Sequence, residues 1–149
     1  MSRSGYSEDC DNLGLWRGAV DRAIRGKRGQ IFLREMAAAL DAMPVKKLIA
    51  GEIARDDGHV CAIGSVAIAR KFDVSKIDIY DGEEVGNMFG VAQALALEIA
   101  YENDEGGFRP YGAKAETDTE RWTRMRRWVA ANIVGASVAD LGSDESESH

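Results

Sequence analysis

Residues 59–72 read HVCAIGSVAIARKF. A histidine and a cysteine stand two positions apart, ahead of small and apolar residues that include one glycine. Three readings compete: a reactive thiol beside a base, a corner of a metal site, or the start of a buried helix. Ala62, Val66 and Ala69 recur at helical spacing, with Ile63 and Ala67 beside them, so a short buried helix is expected over about 61–71. A strand over 59–63 competes, because short apolar runs suit both. A helix start at Cys61 would favour thiolate through its dipole, with His59 close in sequence. Against that chemistry, free cysteine is among the most buried residue types and a dense apolar run follows it. Side chains two apart share a face on a strand but not on a helix. Cys61 is therefore read as core, with His59 near the helix entrance and Gly64 permitting close packing.

Working outward, Leu13, Trp16, Val20, Ala23 and Ile24 predict a helix over about 12–26. The stretch Gly26-Lys27-Arg28-Gly29 predicts a break. Phe32, Met36, Ala39, Leu40 and Met43 line a second helix over about 29–43, which Pro44 ends. A short helix is expected over 46–55, carrying Leu48, Ile49 and Ile53, and Asp56-Asp57-Gly58 reads as a turn. Residues 73–80 read as extended or a single turn. Asp81 and Glu84 suit the start of a long helix running to about Tyr101, with Val85, Met88, Phe89, Ala92, Leu95, Ala96 and Ile99 inward. Glycines and Pro110 make 105–116 a flexible connection. Thr117-Asp118-Thr119-Glu120 is a capping box opening a last helix to about 134, with Trp122, Met125, Val129 and Ile133 on its stripe.

The expected fold is all-α: a single compact bundle of five or six helices over 12–136, with a flexible N-terminus over 1–11. The serine-rich acidic tail, 137–149, is expected to be disordered. Each fully buried Leu, Ile or Phe contributes about 1.5–3 kcal/mol, so the stripes support the fold without a metal or disulfide. The chain has 149 residues, 45% hydrophobic and 30% charged, as a globular domain does. Its two cysteines, Cys10 and Cys61, form no disulfide framework. With no signal-like start and no long apolar run, a soluble cytoplasmic protein is expected, with no membrane association.

The net charge of −6 is unevenly spread. Residues 1–50 hold nine Lys and Arg against six Asp and Glu, and the remainder is strongly acidic. Zinc needs about four ligands, and Cys10 and His149 are the only other sulfur or imidazole candidates. GKRGQ lacks the spacing and the Ser/Thr of a phosphate loop. No cofactor or metal is expected. The Glu102-Asn103-Asp104-Glu105 corner admits carboxylate chemistry, but a capped helix end with solvated acids is the simpler reading. Carboxylates are disfavoured there by the helix dipole, which singles out Asp104.

The pentapeptide Cys-Ala-Ile-Gly-Ser at 61–65, a long helix ending in Tyr-Glu-Asn-Asp at 101–104, and a capped Trp-containing helix resemble a family of small uncharacterised phage and prophage proteins. These have a Cys-Ala-Leu-Gly-like helix start and an aromatic-x-Asn-Asp segment. SRSGYSEDCDN and GKRGQ resemble phage-associated sequences too. The resemblance implies an α-helical domain and supplies no activity.

Three functional classes follow. The first is a non-enzymatic protein-interaction module, an accessory protein acting on a host or defence component. Its candidate surface is acidic: Asp81, Glu84, Glu98, Glu102, Asp104 and Glu105, with Asp78 and Glu83. The second is nucleic-acid binding through Arg17, Arg22, Arg25, Lys27 and Arg28, with Arg34 nearby. Arg121, Arg124, Arg126 and Arg127 form another basic group, which can instead pair with the acidic middle helix. The third, ranked last, is an enzyme using Cys61 or the Asn103–Asp104 corner.

Overall fold

A computed structural model describes residues 10–107 and 114–135. The described residues are all-α, with six helices: α1 Cys10–Arg25, α2 Lys27–Ala42, α3 Ala62–Arg70, α4 Gly82–Phe89, α5 Gln93–Glu105 and α6 Asp118–Ala131. The expected disorder of 137–149, residues 1–9 of the N-terminus expected to be flexible over 1–11, and residues 108–113 of the 105–116 connection lie outside the described residues, while Cys10 and Asp11 already belong to α1. None of the described helices is long and apolar enough to cross a membrane.

Two helices hold the bundle together. α2 packs against α1, α3 and α6, and α5 packs against α1, α3, α4 and α6. Their apolar faces meet in one core of Phe32, Leu33, Met36 and Leu40 from α2 with Leu95, Ala96 and Ile99 from α5. Ile63, Val66, Val85, Phe89, Met125 and Val129 complete it. Polar ties fix the relative positions of the helices. Arg70 at the end of α3 grips Glu35 of α2 with two hydrogen bonds of 2.7 and 2.6 Å. Its guanidinium lies over the rings of Phe32, Phe72 and Phe89. The same bond holds the Glu35 carboxyl below its usual range. The capping box of α6 forms as expected, Thr117 and Glu120 exchanging side chain-to-backbone bonds.

Four local expectations are corrected. The break between the first two helices is one residue, Gly26, with ψ of 164°. Lys27 and Arg28 already belong to α2, and Gly29 is buried in it because α1 comes so close. A β-carbon on Gly29 would meet the Ala23 carbonyl oxygen at 1.9 Å. Residues 46–55 form no helix. Gly51 takes a φ of 89°, which a helix interior does not admit. Leu48, Ile49 and Ile53 are buried there all the same, and the backbone is satisfied across the chain. Ile49 donates to the Val60 carbonyl, Cys61 to that of Ile53, and Leu48 to that of Asp118.

The single long helix expected from 81 to 101 is two. Gly90, at φ 78°, closes α4, and the amides of Gly90 and Val91 both return to the Gly86 carbonyl. α5 then folds back on α4. Gly82 and Gly86 make the close approach possible, since a β-carbon at either would come within 2.8 Å of atoms on or beside α5. In α3, Ala69 faces outward while Ser65 is buried, so the apolar face is rotated from the expected stripe.

Candidate functional site

The segment from Leu48 to Cys61 turns back on itself through a bridge between Ala54 and Val60. It delivers Cys61 to the N-cap of α3 with extended backbone, and the Cys61 Sγ accepts the Gly64 amide at 3.4 Å. Cys61 is buried, and burial pushes its thiol up to about 12 despite that amide. Gly64 sits against the hairpin, where a β-carbon would lie 2.4 Å from the Ile53 oxygen. His59 is partly exposed and lines a different place, a surface groove. In a Cys10→Ser variant, a thiol reagent at neutral pH should leave Cys61 unmodified until denaturant is added. Rapid stoichiometric labelling of the native protein would refute the structural assignment.

The Asn103–Asp104 corner is a clamp. Asn103 is 1% exposed, near the end of α5. Its Oδ1 accepts the Ala62 amide at 3.0 Å, satisfying an orphan donor in the first turn of α3. Its Nδ2 donates to the Ile49 carbonyl at 2.9 Å and to Asp104 Oδ1 at 2.9 Å. Asp104 also accepts the Gly51 amide at 3.0 Å and the Tyr80 hydroxyl at 2.7 Å. Burial first, and then Asp104, hold the Tyr80 phenol above its usual range, so it stays a neutral donor. The dipole conflict at Asp104 is answered by these three donors. Two residues thus join the 49–51 loop, the α3 start and Tyr80 to one helix end.

The acidic residues do not make one face. The Glu98 side chain is 4% exposed and pairs with Arg17 across the α1–α5 contact at 3.1 Å. Expected at the surface, Glu98 is interior because every residue from Leu95 to Ala100 is buried. Asp104 is occupied, and Glu102 is partly buried with its carbonyl on Arg124. Asp81 caps α4 through the Glu84 amide at 3.1 Å. Asp78, Asp81, Glu83, Glu84 and Glu105 remain exposed.

The basic residues divide in the same way. Arg121 is buried, donating to the Leu48 carbonyl and to Asp118, with Glu116 beside it. Arg124 holds Glu116 and the carbonyls of Glu102 and Asn103. Arg126 pairs with Asp41, and Arg34 donates to the Val134 carbonyl. The expected pairing of 121, 124 and 126 is therefore with Glu116, Asp118 and Asp41, not with the middle helix's carboxylates. Arg22, Arg25, Lys27 and Arg28 stay exposed. Among the described residues no three His, Cys, Asp or Glu side chains converge to hold a metal.

Sequence reasoning missed two features. Gln30 joins the α1–α2 corner to the end of α6. It donates to the carbonyls of Ile24 and Asn132 and accepts the Val134 amide. The second is a groove of about 380 Å3 between the end of α2 and α3. Ala39, Met43, Pro44, Val45, Ile68 and Ala69 line its apolar walls, and His59 and Asp57 are also in its lining. Val45 and Ile68 are 49% and 58% exposed. Its sequence signal was Ile68, a large aliphatic off the buried stripe of α3. No known protein family, curated protein or solved structure matches this chain.

Proposed function

We propose that the chain is a non-enzymatic protein-interaction module whose contact surface is the α2–α3 groove. One observation carries this reading: two helical walls leave an apolar trough, with Val45 and Ile68 large and exposed beside it. Its occupant is an amphipathic helical segment of a partner protein, with its apolar side chains entering between the helices. The small walls at Ala39, Ala42 and Ala69 favour close approach of such a helix. The acidic residues first suggested as the surface are divided between the interior, the clamp and scattered exposed positions, and they support it less. The setting of a phage or prophage accessory protein acting on a host or defence component rests on the sequence resemblance.

Affinity capture from nuclease-treated host lysate, comparing the native chain with Ile68→Glu, tests the proposal. Ile68 is exposed, so the variant should keep its melting temperature. A stoichiometric protein retained by the native chain should fall at least about tenfold with the variant, as burying an unpaired charge in an apolar contact costs more than about 1.4 kcal/mol. Equal capture by both, or no protein retained by either, would overturn the groove assignment.

A further inference from the structure

We propose that the α1–α2 corner binds the phosphate backbone of nucleic acid without reading its bases, through Arg22, Arg25, Lys27 and Arg28. This goes beyond the groove, which lies at the other end of α2. The first observation is a segregation of pairing. Arg17, Arg55, Arg70, Arg121, Arg124 and Arg126 each have a carboxylate partner, and Arg34 has a carbonyl. Among the described arginines, those whose side chains make no hydrogen bond or ion pair are Arg22, Arg25, Arg28 and Arg127. Three of the four lie within seven residues, and exposed Lys27 stands among them.

The second observation is a local conflict. Lys27 and Arg28 occupy the first turn of α2, where the helix dipole is positive, and that turn holds no acidic residue. Gly26 supplies no side-chain cap. Two cations at the positive end of a helix weaken it, and no side chain among the described residues relieves them. A bound polyanion does. Arg22 and Arg25 lie one turn apart at the end of α1 and extend the same positive corner. Arginine pairs with phosphate through two N–H donors, as it does with a carboxylate, and a nucleic-acid backbone presents phosphates in series to a cluster of cations.

The corner also says what it does not read. No aromatic side chain lies among residues 17–31, so no base-stacking platform accompanies the cations. The exposed aliphatics Leu15 and Ile31 sit singly on different helices and form no wedge for a lipid surface. The acidic remainder of the chain repels the polymer elsewhere, so contact is confined to this corner.

Fluorescence anisotropy with a short labelled DNA duplex of mixed sequence, titrated at several salt concentrations, tests the proposal. Four neutralised phosphates give a slope of log K against log salt of about −3.6, the same for unrelated sequences. The decisive variant is Lys27→Glu with Arg28→Glu. Acids suit the first turn of a helix, so its melting temperature should hold or rise. Its duplex affinity at low salt should fall about 100-fold, and the slope should halve. Lys76→Glu, which changes an exposed cation in the α3–α4 connection, should bind as the native chain does. Absence of salt-dependent binding, unchanged affinity in the double variant, or equal binding of polyglutamate or anionic vesicles would overturn the proposal. The Ile68→Glu variant should bind the duplex normally, so failure of the groove and failure of the corner are separable.

Discussion

Leu95→Asp is expected to abolish the cooperative fold. Leu95 is 0% exposed, in the first turn of α5, the helix that touches four others. Removing its side chain alone costs about 2–5 kcal/mol. A carboxylate at the same place must either be buried charged or take up a proton, which costs several more. The total approaches or exceeds the whole stability of an ordinary domain, about 5–15 kcal/mol. Far-UV circular dichroism and thermal melting would read the loss directly. Leu95→Ala provides the graded comparison: it should stay folded and lose about 2–5 kcal/mol in chemical denaturation. A native-like melting transition for Leu95→Asp would refute the placement of α5 at the centre.

Asn103→Ala is expected to cost about 2–4 kcal/mol, far more than its small volume suggests. Truncation leaves the Ala62 amide and the Ile49 carbonyl without their side-chain partner in a buried place, at about 1–3 kcal/mol each. Chemical denaturation would give the magnitude. Hydrogen exchange at the Ala62 amide would locate it, since that amide should lose protection more than the centre of α5. Asn103→Asp should not rescue the loss: it keeps an acceptor for Ala62 but offers no donor to Ile49 and adds a charge beside Asp104. A loss under about 0.5 kcal/mol, the range of ordinary surface substitutions, would show that the clamp does not hold these segments together.

The two variants probe parts of the molecule that differed in how plainly the sequence showed them. Leu95 belongs to a periodic apolar stripe, and periodicity is a local property of the chain. The capping box at Thr117–Glu120 is local too, and both were legible. Asn103 was visible only as one residue of a polar helix end. Its partners lie 41 and 54 residues away, and no spacing rule reaches that far. Arg121 misled in part for the same reason: a run of arginines reads as a solvated face, yet this one is buried where its guanidinium reaches the Leu48 carbonyl, 73 residues away. The split of the long helix had a local trace, since Gly82, Gly86 and Gly90 recur every fourth residue. Glycine at that spacing permits a helix, and only the packing of α4 on α5 makes a turn at Gly90 the lower state.

By itself, the sequence determined that the chain is helical, where the main apolar stripes run, which residues cap α4 and α6, and that Cys61 is buried. Those follow from repeats and neighbours within a few residues of one another. The tertiary structure decided that residues 46–55 are an irregular segment, that Glu98 is interior, that Asn103 is a clamp and that Arg22–Arg28 keeps its cations unpaired. Each of those depends on whether a polar group finds a partner from a distant segment, and a buried group's cost without one is as large as the local preferences it overrides.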